Sequence, residues 1–148
     1  MKKNNILLSA ILFSSAFLAQ NKGLVANSES PYSKLQSVNL QDVKWTNGFW
    51  KEQFDVQTKN TLPYMWDLYH NDEVSHAYKN FEIAAGESKG TFKGPSFHDG
   101  DFYKIFEGMA ATYAITKDKK LDAQMDKAIA LFAKAQRNVG YFNSVVFF

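Results

Sequence analysis

Apolar positions recur at helical spacing along most of the chain beyond Thr46. The firmest run is Phe102, Ile105, Phe106, Met109, Ala110, Tyr113 and Ala114, whose three- and four-residue steps predict an amphipathic helix opening directly after Asp99-Gly100-Asp101. After a polar turn over Thr116 to Lys120, in which Asp118 can cap, Leu121, Met125, Ala128, Ile129, Phe132 and Ala135 predict a second helix. The short connection makes the two an antiparallel αα-hairpin. Upstream, Thr46-Asn47-Gly48 is a turn and cap cluster, and Trp50, Phe54, Thr58 and Leu62 follow at helical spacing. Pro63 has no amide hydrogen to donate, so that helix must kink or restart before Tyr64, Met65 and Leu68. Tyr78 to Ala85 predicts a shorter helix ended by Gly86, and residues 86–100 read as a loop with aromatic anchors Phe92 and Phe97.

Two segments depart from the helical pattern. Val38 and Leu40, then Val43 and Trp45 after a break at Gln41-Asp42, alternate as a short extended segment. No second strand is predicted, so this one either pairs with chain outside these residues or lies along the helical body. At the N-terminus Lys2-Lys3 precede an apolar run from Ile6 to Ala19 that is too short to span a bilayer comfortably, which predicts a secretory signal peptide over residues 1–26 and an exported protein without a stable membrane anchor. Phe17 and Leu24 fall where cleavage after Ala19 or Ala26 prefers a small residue, so neither cut is ideal. Residues 27–37, with Ser28, Ser30, Pro31 and Ser33, read as a linker. Residues 38–148 then form the folded part, and the apolar ending Val145 to Phe148 looks cut rather than finished.

Composition narrows the function classes. The 148 residues carry 17 basic and 15 acidic side chains in interspersed order, with no basic stripe of the kind nucleic acid selects. Cysteine is absent, so these residues offer no disulfide framework, thiolate nucleophile or thiolate metal site. An aromatic fraction of 16% calls for extensive ring burial or stacking. Trp50 and Trp66 lie among apolar neighbours at helical spacing, which favours burial over sugar stacking, and Trp45 shares that choice.

The cluster with most chemistry is Phe97-His98-Asp99-Gly100-Asp101-Phe102-Tyr103-Lys104. It sets an imidazole, two carboxylates and a phenol at the mouth of a helix. Asp99 or Asp101 there can serve simply as a cap for the free amides. Asp99 and Asp101 are too close along the backbone to flank a glycosidic bond, and Asp101 and Glu107 stand about 240° apart around a helix. The cluster can bind sugar hydroxyls but cannot cleave by itself. His70, Asp72, Glu73 and His76 are the other ligand-like group, at a spacing that matches no metal motif and reads as a polar loop. Gly86, Gly90, Gly94 and Gly100 lack the Gly-Lys-Ser/Thr ending of a phosphate loop.

In order along the chain, Gly48-Phe49-Trp50, Thr61-Leu62-Pro63, Ala84-Ala85-Gly86 with Gly90, Phe92, Gly94 and Phe97, the stretch Asp99, Asp101, Tyr103, Lys104 and Glu107, and Ala135-Gln136 with Gly140-Tyr141 resemble glycoside hydrolase family 127, formerly a domain of unknown function, 1680. Val139 departs from that pattern, where the family has Asp before Gly-Tyr, and residues 143–148 do not look like its continuation. The resemblance implies the N-terminal helices of an all-α (α/α)6 barrel, preceded by the short extended segment. The implied activity is that of a non-reducing-end β-L-arabinofuranosidase acting on arabinose-containing plant carbohydrate. In that family a zinc-bound cysteine is the nucleophile and a glutamate the acid/base, all downstream of the part matched here, so no catalytic residue, no metal ligand and no cofactor is assigned within this chain. A barrel of twelve helices needs roughly 200 residues, so the chain is expected to be an inactive N-terminal fragment whose partner is the rest of its own barrel. His98, Asp99, Asp101 and Tyr103 are the expected lining of the sugar-binding end. The residues also leave open a small exported helical module that binds carbohydrate or protein without catalysis.

Overall fold

The structure is a computed structural model and describes residues 25, 27 and 29–145. All but one residue of the expected signal peptide lies outside these. Among the described residues every regular element is helical, and no helix is long and apolar enough to cross a membrane. The elements are α1 (Gly48–Val56), a π-turn (Gln57–Thr61), α2 (Leu62–Tyr69), α3 (Ala77–Ala84), α4 (His98–Thr116) and α5 (Lys119–Ala135).

The alternating segment lies along the helical body. Its break at Gln41-Asp42 is a 3₁₀ turn, Leu40–Asp42, flanked by extended backbone at Asn39 and Val43 and resting against α4. Trp45 then packs on Phe54 of α1, with ring centres 5.2 Å apart. Asn47 stands at the cap of α1 but makes no side-chain cap bond, and Gly48 enters the helix at φ +74°, a conformation that glycine adopts without strain.

Pro63 neither breaks the helix nor ends it. The turn before it widens instead, so that the Leu62 amide donates to the Gln57 carbonyl five residues back. Pro63 then sits in the first turn of α2, where a missing N–H costs least. Lys51 and Lys59 both pair with Asp55 across this entry, Lys59 at 3.5 Å, and the Lys51 hydrogen bond holds the Asp55 carboxyl below its ordinary range.

The core forms where α2, α3, α4 and α5 meet. Phe102 is fully buried and is ringed by Trp66, Tyr69, Tyr78, Phe81 and Phe132 at centre distances of 5.7 to 6.2 Å. Tilted and edge-on ring pairs of this kind add about 0.5–1.5 kcal/mol each beyond burial. The αα-hairpin is present, with Asp118 accepting from the Lys120 amide at 2.7 Å and the Leu121 amide at 3.1 Å. Lys117 takes the left-handed conformation at φ 55° to make the tight connection. The apolar faces are turned slightly from the expected ones. Leu131 is buried while Ile129 is half exposed, and Thr112 is buried while Ala110 faces water. Helix rows three and four apart diverge around the cylinder, so the packing partners select which of two neighbouring rows faces inward.

Candidate functional site

The mouth of α4 is assembled from four pieces of chain. Asn80, buried on α3, donates from Nδ2 to the Lys93 carbonyl at 2.9 Å and accepts the Lys93 amide at 3.0 Å, which fixes the glycine-rich loop to the helix. His76 Nδ1 lies 2.9 Å from the same Asn80 oxygen. The loop delivers Gly94, at φ +99°, against the imidazole of His98; a methyl group there would fall 2.6 Å from His98 Nδ1. Only glycine fits that contact. The fourth piece is residues 141–145, laid over the helices by Phe142, whose ring centre lies 5.6 Å from Phe81, 5.2 Å from Tyr103 and 5.3 Å from Phe132.

The four expected site residues have distinct placements. Asp99 is 2% exposed and does not cap α4, since Phe97 holds the cap position without a side-chain bond. Its carboxyl oxygens are both taken by Ser144, one by the amide at 2.5 Å and the other by the hydroxyl. The capping expectation for Asp99 is thus replaced by a long-range latch, because its position inside the first turn points the side chain toward the returning strap. Asp101 does not cap either; it pairs with Lys104 at 2.9 Å. Its charge reaches Tyr69, whose phenol is held above its ordinary value first by burial and then by Asp101. Tyr103 lies beside Asp99, and burial first, then Asp99 and Tyr141, push its ionisation well upward. The Tyr103 hydroxyl and His98 Nδ1 are both buried with no hydrogen-bond partner. Buried polar atoms without partners are uncommon in folded proteins.

Ser144, Phe142 and Asn80 were not foreseen as builders of this end. Asn80 carried a signal, a polar residue on the apolar face shared by Ala77 and Phe81; Ser144 carried none, because its partner lies 45 positions away.

The other polar cluster disperses. His70 is sandwiched between Trp66 and Tyr78, with ring centres 4.1 and 3.8 Å away, and its Nδ1–H donates to the Trp66 carbonyl at 2.7 Å. Burial lowers its pKa. Asp72 faces Lys79 at 3.9 Å. Among the described residues no three His, Cys, Asp or Glu side chains converge to hold a metal, so the residues present do not fit a zinc site. Of the tryptophans, Trp66 is buried as expected, while Trp50 is 66% exposed, contrary to the expectation of burial, and Trp45 is partly exposed. At the far end of α4 a cavity of about 100 Å³ opens between α2, α4 and α5, lined by Leu62, Trp66, Met109 and Leu121 and remote from the His98 cluster.

This is an all-helical domain whose polar end is built by a loop, a helix mouth and a returning strap. The family model described as β-L-arabinofuranosidase, GH127 catalytic domain, matches residues 42–147, and the chain belongs to that family. It is 33% identical over 120 residues to the non-reducing end β-L-arabinofuranosidase of Bifidobacterium longum subsp. longum, an alignment covering 70% of this chain and 18% of the relative. It also resembles the crystal structure of a GH127 β-L-arabinofuranosidase from Geobacillus stearothermophilus T6, with a TM-score of 0.66 and 38% identity over 69% of this chain and 17% of that one. The chain thus spans less than a fifth of the length of these relatives.

Proposed function

We propose that the chain is the N-terminal part of the (α/α)6-barrel catalytic domain of an exported β-L-arabinofuranosidase, which releases arabinofuranosyl units from arabinose-containing carbohydrate. The observation that carries this reading is the match to the GH127 catalytic domain from residue 42 onward, in a chain whose α4 opens on the partly exposed His98 and Asp101. His98 and Asp101, both partly exposed in the first turn of α4, stand to meet sugar hydroxyls, whereas the Tyr103 hydroxyl is sealed from solvent. Asp99 serves this end by holding Ser144, and with it the strap. Hydrolysis needs an acid and a nucleophile or base placed on opposite sides of the bond. Asp99 is buried and occupied and Asp101 is paired with Lys104, so this chain by itself binds rather than cleaves. The zinc and the catalytic groups of the family enzyme are expected in chain beyond the matched segment.

The test is a chimera in which residues 29–145 replace the matched segment of the Bifidobacterium relative, assayed on a β-L-arabinofuranoside. The chimera should hydrolyse it, and the 148-residue chain alone should not. His98→Ala and Asp101→Ala should each lower kcat/KM by roughly 10- to 100-fold, the equivalent of one hydrogen bond to substrate lost. A folded chimera in which both variants keep full kcat/KM would overturn the reading. N-terminal sequencing of protein recovered outside the expressing cell tests export: a processed N-terminus is expected near residue 26.

A further inference from the structure

Consecutive residues of the glycine-rich loop tie α3 to the imidazole of His98. Asn80, buried on α3, holds both backbone polar groups of Lys93, donating from Nδ2 to its carbonyl at 2.9 Å and accepting its amide at 3.0 Å. Gly94 follows, with its backbone against the Nδ1–Cε1 edge of the ring: a methyl group there would fall 2.6 Å from Nδ1 and 2.9 Å from Cε1. Pro95 comes next, and its carbonyl accepts the His98 amide at 3.0 Å. The loop thus grips His98 by its backbone and by one edge of its ring. On that edge Nδ1 is sealed without a hydrogen-bond partner, whereas Nε2 is not sealed. A buried N–H without an acceptor is rarer in folded proteins than a buried acceptor left without a donor. The arrangement therefore leaves Nδ1 bare and puts the imidazole proton on Nε2. The other two rings have the opposite sense. The bonds to Lys93 fix which end of the Asn80 amide is oxygen, so His76 Nδ1, 2.9 Å from that oxygen, is a donor. His70 Nδ1 likewise faces the Trp66 carbonyl at 2.7 Å.

We infer that Asn80 is a positioning residue of the sugar-binding end: acting through Lys93 and Gly94, it holds His98 with Nδ1 sealed and Nε2–H turned outward as a donor to a carbohydrate oxygen. This rests on the reading of His98 as a sugar contact. Asn80 itself is too deeply buried to meet substrate. His98 then supplies a donor, while Asp101, whose Oδ1 pairs with Lys104, keeps its other carboxylate oxygen as an acceptor. The two partly exposed groups of the first turn have opposite hydrogen-bond polarity. Such a pair suits sugar hydroxyls, each of which both donates and accepts.

Long-range proton–nitrogen NMR correlation spectra of the 148-residue chain, taken at about pH 8 where an imidazole is ordinarily neutral, read the tautomer of each of its three histidines. One ring should be in the Nε2–H form, assigned to His98 by its loss in His98→Gln, beside His70 and His76 in the Nδ1–H form. An Nδ1–H or rapidly averaging His98 would overturn the inference. Asn80→Ala should free the loop and turn the His98 signals into an average of the two forms; an unchanged pattern would overturn the positioning role. Should Asn80→Ala not fold, Asn80→Asp, which sets an oxygen against the Lys93 carbonyl, gives the same decision. In the chimera, His98→Gln, which keeps a donor, should recover most of the kcat/KM lost in His98→Ala, and His98→Glu, an acceptor alone, should not. Equal recovery by the Glu variant would overturn the donor role. The expected tautomers together with a chimera indifferent to every His98 variant would sink the arabinofuranosidase reading and leave the positioning of His98 standing; the reverse pair of results would do the opposite.

Discussion

A carboxyl group sealed inside a protein needs donors or a cation, and Asp99 obtains two donors from one residue, Ser144. Ser144→Ala removes the hydroxyl and leaves one buried oxygen without its partner. In the chimera this substitution should cost about 1–3 kcal/mol, read from urea unfolding. Ser144→Thr, which keeps the hydroxyl, should recover most of the loss. His70 gives a prediction with a defined sign. Burial holds its pKa below the ordinary value of 6.5, so the unfolded state takes up a proton at higher pH than the folded state does. Stability contributed by the neutral ring is present above about pH 7 and declines as pH falls through 6.5 toward the lowered folded value. His70→Phe keeps the stack between Trp66 and Tyr78, and it should flatten that decline in melts run from pH 7.5 to 5. Little of this was legible beforehand. The sequence pointed to His98, Asp99, Asp101 and Tyr103 as a group, but the partner of Asp99 depends on a strap that returns from the end of α5.

Elements were read more securely than contacts. The stripe from Phe102 to Ala114 and the polar turn at Asp118 led directly to α4, α5 and the hairpin between them, because helical periodicity and a capping side chain are local properties. Asp118→Ala deprives two first-turn amides of their acceptor and should lower stability by about 1 kcal/mol, with reduced hydrogen-exchange protection at the start of α5. Pro63 announced an irregularity in the first helix without specifying its form. Whether a helix answers a proline by breaking, bending or widening depends on what lies on either side, and here Leu62 and Trp66 anchor α2 in the core. The extended segment took the second of its two expected places, along the helical body, for a related reason. Alternation says which side chains share a face, but a strand also needs a neighbour to take its hydrogen bonds, and among the described residues there is none.

For the whole molecule, the balance of buried and exposed apolar surface is the telling quantity. The core around Phe102 is dense, yet Phe49, Trp50, Tyr64 and Ile129 face water. The 148-residue chain alone should therefore bind the dye ANS strongly, and the chimera should bind less of it per molecule. Equal binding by the two would mean that these residues are exposed in the larger protein as well.

By itself the sequence determined the helices, the αα-hairpin, the need for an irregularity at Pro63 and the family resemblance, because periodicity, capping, proline chemistry and motif order are all carried within short windows of chain. Only the tertiary structure decided that Asp99 binds Ser144 rather than capping α4, that Asn80 fixes the loop to α3, and that a π-turn carries the helix past Pro63. Those outcomes join residues far apart in the chain or depend on how a rotation accumulates along a helix. No local window holds that information.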